Sequence, residues 1–341
     1  MKAAVRHAYG PPEVVRVEEL PTPTPRDDEV LIRVRAASVN LGDWELLTGQ
    51  PLYCSVLAQI FAPRPRRDVA PSTRTSGLFK PKHKILGTDV AGSVEAVGRS
   101  VTQFKPGDDV FGDCGICGFG AFAEYVCVPE KAALVPKPAS MTFEQAAAIP
   151  QAAFIALKGL RDQARVQRGQ RVLINGAGGG AGTFGVQIAK SYGAEVTGVD
   201  GPSKLELLRS IGADHVIDYT RGDFTQNGQR YDVILDMAAY RSVFVSRRSL
   251  TPDGIYLMAG GSWTALWQSA FLGPLISRTG NGRVALLLAG SPRADLTLMT
   301  ELFEAGTVVP VIDACYPLSE VGEALRRVGE KRSRGKVIIT P

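Results

Sequence analysis

A glycine-rich run at residues 176–182 limits the folds open to this chain, because five of its seven residues are glycine. The apolar segment 171–175 before it is typical of a short strand, and the amphipathic segment after it, up to Lys190, is typical of a helix. Glycines permit a tight turn and a close approach to a pyrophosphate, and a helix N-terminus offers free N–H donors. The order strand, turn, helix predicts a dinucleotide site rather than a flexible loop without a ligand. The predicted contacts are Gly176, Ala177, Gly178, Gly179, Gly180, Ala181 and Gly182.

Strand-like and helix-like segments alternate after the glycine run, which predicts a parallel sheet with right-handed crossovers. We expect this doubly wound α/β domain at residues 133–290. Shorter strand and turn patterns predict an antiparallel β-rich domain from residues 1–132 together with the tail, 291–341. The expected strands of the parallel sheet and the tail include 195–199, 215–217, 231–235, 254–258, 284–288, 308–312 and 336–339.

The composition argues against several classes of protein. A net charge of +5 with 7% aromatic residues and no basic–aromatic pattern argues against nucleic-acid binding. The five cysteines are scattered, which favours a reducing compartment over a disulfide framework. We find no signal-peptide pattern at Met1 and no apolar run of membrane-spanning length, so we expect a cytoplasmic protein.

The second predicted strand of the nucleotide unit ends at Asp200, where an acid would bond a ribose 2′-hydroxyl and select NAD. Ser203 and Lys204 follow, and Tyr219 stands further on, where a lysine and a tyrosine could flank a 2′-phosphate. Asp200 could instead turn outward or cap the helix that begins near Ser203. We favour NADP(H) over NAD(H).

The residues after the predicted strand 254–258 form a further candidate contact. The backbone of Ala259, Gly260 and Gly261 is expected to bond the nicotinamide carboxamide. The strand itself is the expected sheet edge at which a second copy pairs to form a homodimer. The apolar stretch 263–276 is a pocket wall, a subunit contact or core.

Eight stretches along the chain carry a family resemblance: residues 2–12, 36–40, 86–92, 105–108, 121–125, 176–182, 212–219 and 335–337. Together they resemble the medium-chain dehydrogenase/reductase superfamily, in its zinc-independent quinone oxidoreductase branch. The resemblance implies a GroES-like β domain with the substrate contacts and a Rossmann domain with NAD(P)H. It also implies that Lys204 and Tyr219 match the pair that holds the 2′-phosphate in relatives.

The resemblance also bears on metal binding. Zinc alcohol dehydrogenases of this superfamily have a cysteine where this chain has Asn40, and a His-Glu pair where it has Thr88 and Asp89. These substitutes do not suit tetrahedral zinc. Cys114 and Cys117 are close in sequence but have no second pair, so their spacing is incidental or weakly redox-active. We predict no metal site.

Without a Lewis acid, the expected substrate is an electrophilic small molecule that accepts hydride readily, either a quinone or an α,β-unsaturated carbonyl. Asn40 is the candidate that donates an amide hydrogen bond to the substrate or touches the nicotinamide or its ribose, and Asp43 lies on the same segment. Tyr53 is the nearest candidate proton donor, with water as the competitor. The alternatives are an NAD(P)-dependent alcohol dehydrogenase, or a low-turnover NADPH-binding sensor or partner protein.

The basic, proline-rich segment 50–84 allows three interpretations. It is a solvated loop, a lid over a pocket, or a contact with a membrane surface.

Overall fold

The computed structural model describes residues 1–49, 80–277, 282–287 and 292–341. The prediction for segment 50–84 therefore falls largely on residues outside this description. The chain divides into two units, and the first consists of Met1–Gln151, Ser291–Thr300 and Ile312–Pro341. The second consists of Ala152–Gly290 and Glu301–Val311.

The strands and helices in the described residues follow the predicted order, although several ends differ. No helix among them has both the length and the apolar character needed to cross a membrane. The strands are β1 (Lys2–Arg6), β2 (Val15–Glu19), β3 (Glu29–Val39), β4 (Asp89–Val97), β5 (Asp109–Asp113), β6 (Tyr125–Pro129), β7 (Ala133–Pro136), β8 (Arg171–Asn175), β9 (Glu195–Asp200), β10 (His215–Asp218), β11 (Tyr231–Asp236), β12 (Leu250–Met258), β13 (Arg283–Leu286), β14 (Ile312–Pro317) and β15 (Lys336–Thr340). The α-helices are α1 (Leu41–Thr48), α2 (Phe143–Ala148), α3 (Pro150–Leu157), α4 (Gly180–Ser191), α5 (Leu205–Ser210), α6 (Val243–Ser246), α7 (Trp263–Trp267), α8 (Gly273–Ser277), α9 (Arg293–Glu304) and α10 (Val321–Gly329).

The first unit is built on a mainly antiparallel sheet in the order β14-β15-β3-β4-β5-β7, with β6 also paired to β3. The tail rejoins this sheet as predicted, because β15 pairs with β3 and β14 pairs with β15. The unit boundary differs from the predicted one at residue 132, since β7 pairs with β5 and keeps this part of the chain in the first unit. Strand β3 is central, so its carboxyl end lies beside β4 and β15.

Helix α1 begins directly after β3, and its ends follow from its sequence. The Asp43 carboxylate accepts the backbone N–H of Asn40, which caps the first turn. Gly49 ends the helix with φ of +69°, a left-handed conformation that glycine adopts without a steric penalty. Helix α10 packs against α1 and β15 and covers the core around Ile32, Val90 and Leu325.

The second unit contains a parallel sheet in the order β10-β9-β8-β11-β12-β13. From β8, the first strand of the unit, the chain adds β9 and β10 on one side and then β11, β12 and β13 on the other. This reversal of direction is typical of a doubly wound sheet. Leu173, Ile234 and Tyr256 lie in its buried core. The predicted fold class, a GroES-like β domain plus a Rossmann domain, is confirmed.

Two strand predictions are wrong. Residues 254–258 are not a sheet edge, because β12 lies between β11 and β13. Residues 308–311 form no strand, and the strand begins at Ile312 instead. Pro310 interrupts the apolar run there, and proline has no N–H for a sheet ladder.

The apolar stretch that begins with α7 leaves large side chains exposed. Trp263, Trp267 and Phe271 recur at every fourth position, and their exposed fractions are 41%, 46% and 43%. The rings of Trp267 and Phe271 stack with centroids 4.5 Å apart. The core interpretation is therefore wrong for these three aromatic residues.

Candidate functional site

The glycine turn joins β8 to α4, and two of its glycines have different reasons to lack a side chain. A Cβ atom on Gly182 would lie 2.3 Å from the carbonyl oxygen of Gly176, so α4 could not pack on the turn. Within the part of the chain that the structure describes, a Cβ atom on Gly179 would meet only that same oxygen, at 3.4 Å, and φ at Gly179 is an ordinary −84°. Gly179 therefore leaves open a cradle at the helix N-terminus that a side chain would fill, which fits a bound pyrophosphate.

Asp200 ends β9 and turns its carboxylate back into the glycine turn. The backbone N–H groups of Gly178 and Gly201 each donate to it at 2.8 Å. The ammonium of Lys204 lies 3.4 Å from its Oδ1. Asp200 and Lys204 are both buried. The carboxylate thus has backbone and charged partners within the protein.

The remaining candidates for the adenosine end lie around this carboxylate. Tyr219 follows β10, donates its backbone N–H to the carbonyl of Asp200 at 3.2 Å, and has an exposed side chain. A Cβ atom on Gly201 would be 3.5 Å from the Tyr219 hydroxyl. Ser203 is exposed in the turn before Lys204. The structure therefore brings Lys204 and Tyr219 to neighbouring strand ends, around Gly201.

The loop after β12 uses its N–H groups within the protein. Ala259 and Gly260 both donate to the carbonyl of Asp236, at 2.8 and 3.4 Å. The carbonyl of Gly260 accepts the N–H of Ala239 at 2.9 Å, and Gly261 bridges to Ala239. The N–H groups of Ala259 and Gly260 are therefore already bonded within the protein and do not make the predicted contact with the nicotinamide carboxamide.

A buried polar group at the carboxyl edge of the parallel sheet escaped the sequence analysis. Asp236 accepts hydrogen bonds from the Asn175 amide, the Tyr256 hydroxyl and the Ala238 N–H, at 2.8, 2.8 and 3.0 Å. Burial raises the pKa of Asp236 above its ordinary value. A signal was available, since Asn175 and Asp236 are polar residues at the carboxyl ends of two predicted buried strands.

In the first unit, the side chain of Asn40 is fully engaged. Its Nδ2 donates to Thr88 Oγ1 and to Asp89 Oδ2, both at 2.9 Å. Its Oδ1 accepts a hydrogen bond of 2.6 Å from the Lys336 ammonium. Both amide hydrogens already have protein acceptors, so the predicted donation from Asn40 to a substrate does not fit this geometry.

Of the other two predicted catalytic residues, Asp43 and Tyr53, the structure describes only Asp43. Asp43 is buried, and its carboxylate accepts the N–H groups of Asn40 and Gly87 at 2.9 and 3.1 Å. Burial raises the pKa of Asp43 to about 7. These contacts fasten α1 to the segment before β4, which is a structural task. Tyr53 lies outside the described residues.

The residues that stand in place of zinc ligands, Asn40, Thr88 and Asp89, lie together in the structure and surround the ammonium group of Lys336. Asp89 accepts hydrogen bonds from Ser38 Oγ at 2.7 Å and from the Lys336 ammonium at 3.4 Å. A fixed cation here would repel Zn²⁺, and Asn40 and Thr88 are poor zinc ligands. These residues do not fit zinc.

The two neighbouring cysteines are held as thiols. Burial raises the pKa of Cys114 well above its ordinary value and that of Cys117 to about 11. Among the described residues, no group of three His, Cys, Asp or Glu side chains could hold a metal ion.

Comparisons with known families cover both units. The family described as “Alcohol dehydrogenase GroES-like domain” matches residues 26–139, and the family described as “Zinc-binding dehydrogenase” matches residues 211–339. Together these matches span parts of the antiparallel sheet, the parallel sheet and the tail.

Individual relatives match along almost the whole chain. The chloroplast envelope quinone oxidoreductase homolog of Arabidopsis thaliana is 31% identical over 95% of this chain and 93% of its own length. The chloroplastic NADPH-dependent alkenal/one oxidoreductase of the same plant is 31% identical over 100% of this chain and 80% of its own length. Among solved structures, the quinone oxidoreductase from Coxiella burnetii aligns with a TM-score of 0.83 and 26% identity, covering 100% of this chain and 99% of that one.

Proposed function

Because this chain belongs to the medium-chain dehydrogenase/reductase superfamily, in its quinone oxidoreductase-like branch, we propose that it is an NAD(P)H-dependent oxidoreductase that reduces quinones or α,β-unsaturated carbonyls without zinc. The observation that carries the proposal is the open cradle at Gly179, at the N-terminus of α4. The names of the relatives support the substrate class, since they include quinone and alkenal/one oxidoreductases.

Each part of the cofactor has candidate residues in the second unit. The glycine turn and the first N–H groups of α4 bind the pyrophosphate, because the helix dipole and unpaired N–H groups favour an anion there. A bound nicotinamide supplies the hydride. Since the residues at Asn40, Thr88 and Asp89 do not fit zinc, the acceptor itself must be electron-poor.

NADPH is the proposed cofactor. The Asp200 carboxylate already accepts the N–H groups of Gly178 and Gly201 and lies 3.4 Å from the Lys204 ammonium, so these protein partners compete with a ribose hydroxyl for it. Lys204 and Tyr219 lie beside it and supply a cation and a phenol for a 2′-phosphate. A phosphate that binds here draws Lys204 from its 3.4 Å contact with Asp200.

The test is a titration of the purified protein with NADPH and NADH, followed by addition of quinone and enone acceptors with and without a chelator. Tighter NADPH binding, consumption on acceptor addition and no effect of chelator are expected. Failure of both cofactors to bind would overturn the proposal.

A second candidate function, alcohol oxidation, is favoured by the family descriptions “Alcohol dehydrogenase” and “Zinc-binding dehydrogenase”. It predicts alcohol-dependent reduction of NAD(P)⁺ that the chelator suppresses. Tight cofactor binding without turnover of any acceptor would instead support a sensor or partner protein.

Assembly and location are part of the proposal. We propose a homodimer that pairs at β13, which with β10 is one of the two outer strands of the parallel sheet within the described residues. Twice the chain mass in light scattering is expected. We place the protein in the cytoplasm, on the scattered cysteines, and cell fractionation tests this.

A further inference from the structure

Strands β8 and β11 are neighbours at the point where strand order reverses in the parallel sheet, and their last residues, Asn175 and Asp236, are partners in register. Ligands of doubly wound sheets bind outside the carboxyl ends of the strands at such a reversal. Asn175 leads directly into the glycine turn, and Asp236 leads into residues 237–239. The two side chains therefore lie at the base of the proposed cofactor site.

The contacts of this pair reach three separate segments. The Asn175 amide donates to Asp236 Oδ1 at 2.8 Å and to the carbonyl of Ala238 at 3.2 Å. The Asp236 carboxylate accepts the Ala238 N–H, and its backbone carbonyl accepts the N–H of Ala259. A Cβ atom on Gly176 would lie 3.3 Å from the Cβ of Ala238, so the glycine turn packs directly on this segment.

A third side chain, Tyr256, fixes the carboxylate of Asp236. Asp236 is 1% exposed, and Tyr256, which is fully buried, donates its hydroxyl to Oδ2 at 2.8 Å. A buried carboxylate with three hydrogen bonds has a single arrangement, because losing any partner leaves a desolvated acceptor. The Asn175 amide is half-buried at the rim of this arrangement and faces two acceptors.

We infer that Asn175 and Asp236 are positioning residues that set the spacing between the glycine turn, residues 237–239 and residues 259–261. The inference rests on the proposed function and adds to it a pair that acts through the backbone rather than by touching the cofactor. NADPH and NADH differ only at the 2′-phosphate and share the pyrophosphate and nicotinamide that these three segments flank, so loss of the pair is expected to weaken both cofactors alike.

The experiment compares Asn175→Ala with Asn227→Ala. Asn227 lies in the same unit, and its amide donates to the Tyr231 hydroxyl at the amino end of β11. It is therefore a control asparagine at the amino ends of the strands, away from the carboxyl ends where Asn175 lies. The readouts are the Kd values for NADPH and NADH from nicotinamide fluorescence, and the melting temperature without cofactor. Asn175→Ala is expected to weaken both cofactors by the same factor, about tenfold, as for a lost orienting hydrogen bond.

Asp236→Asn is the conservative variant. It retains an oxygen that accepts from Asn175 and from the Ala238 N–H, and the Tyr256 hydroxyl rotates to accept from the new amide. It is expected to bind both cofactors more tightly than Asn175→Ala does.

The possible results distinguish a failure of this inference from a failure of the proposed function. A merely structural role would lower the melting temperature of Asn175→Ala and leave both Kd values equal to those of Asn227→Ala, which would overturn the inference alone. A loss confined to NADPH would also overturn it. Failure of the wild type to bind either cofactor would overturn the proposed function and this inference together.

Discussion

The ammonium of Lys336 donates a hydrogen bond of 2.6 Å to the side-chain oxygen of Asn40, a residue 296 positions earlier in the chain. This contact turns the amide hydrogens of Asn40 towards Thr88 and Asp89. It joins the carboxyl end of β3, the start of β4 and the start of β15. Asn40, Thr88, Asp89 and Lys336 thus form a buried hydrogen-bonded cluster at the central strand of the first unit, in which the charges of Lys336 and Asp89 balance. For this reason the cluster suits neither zinc nor hydrogen-bond donation to a substrate.

Removing the Lys336 cation from this cluster should lower the stability of the folded chain. Lys336→Met leaves the fully buried Asp89 carboxylate without its ion pair, and we expect the free energy of unfolding to fall by about 3–5 kcal/mol. Denaturant unfolding measures this loss. The exposed Lys131→Met is the control, with an expected change within about 0.5 kcal/mol. Equal stability of the two variants would contradict the structural role.

Two glycine substitutions should separate binding from folding. Gly179→Val fills the open cradle and should abolish binding of NADPH and NADH, while the melting temperature stays near that of the wild type. Gly182→Ala should instead lower the free energy of unfolding by about 1–3 kcal/mol, because its Cβ meets the Gly176 carbonyl. Cofactor titration and thermal melts distinguish the two. Intact binding by Gly179→Val would show that no pyrophosphate lies there.

Cofactor choice should depend on Lys204. We expect Lys204→Ala to weaken NADPH by about 1–3 kcal/mol, the range of a lost charge-assisted hydrogen bond, and NADH by much less. The variant also leaves the buried Asp200 carboxylate with backbone partners, so its melting temperature should be recorded alongside. Fluorescence titration gives both Kd values. Equal losses for the two cofactors would exclude a 2′-phosphate contact.

The buried Asp43 should make stability depend on pH. Burial raises its pKa from 3.8 to about 7, so between these values the folded chain holds a proton that the unfolded chain has released. This group's contribution to the free energy of unfolding therefore falls as pH rises through that window, by up to about 4 kcal/mol.

Asp43→Asn carries no titrating group at this position and supplies the comparison. We expect the wild type to lose stability relative to this variant between pH 4 and pH 7, with no further relative change above about pH 7. Denaturant midpoints measured at several pH values give the difference. A constant difference across the window would contradict the raised pKa.

The sequence alone determined the features that depend on neighbouring residues. The glycine run, its flanking strand and helix, and the alternation that follows predict the doubly wound sheet, since a parallel sheet needs a crossover between its strands. The ends of α1 are also set by neighbouring residues: the Asp43 carboxylate accepts the N–H of Asn40 at its start, and Gly49 adopts a left-handed conformation at its end. The absence of the usual zinc ligands at Asn40 and Thr88 also needed no coordinates.

Tertiary structure decided which polar groups are already engaged. No local pattern shows that Lys336 meets Asn40, that Asp200 turns into the glycine turn, or that Asn175 and Asp236 face each other. Each of these contacts joins strand ends that are distant in sequence, and burial then makes each bond obligatory, because an unpaired buried polar group is costly. A side chain's residue type gives its chemistry, whereas its availability to a ligand depends on partners that only the folded chain brings within reach.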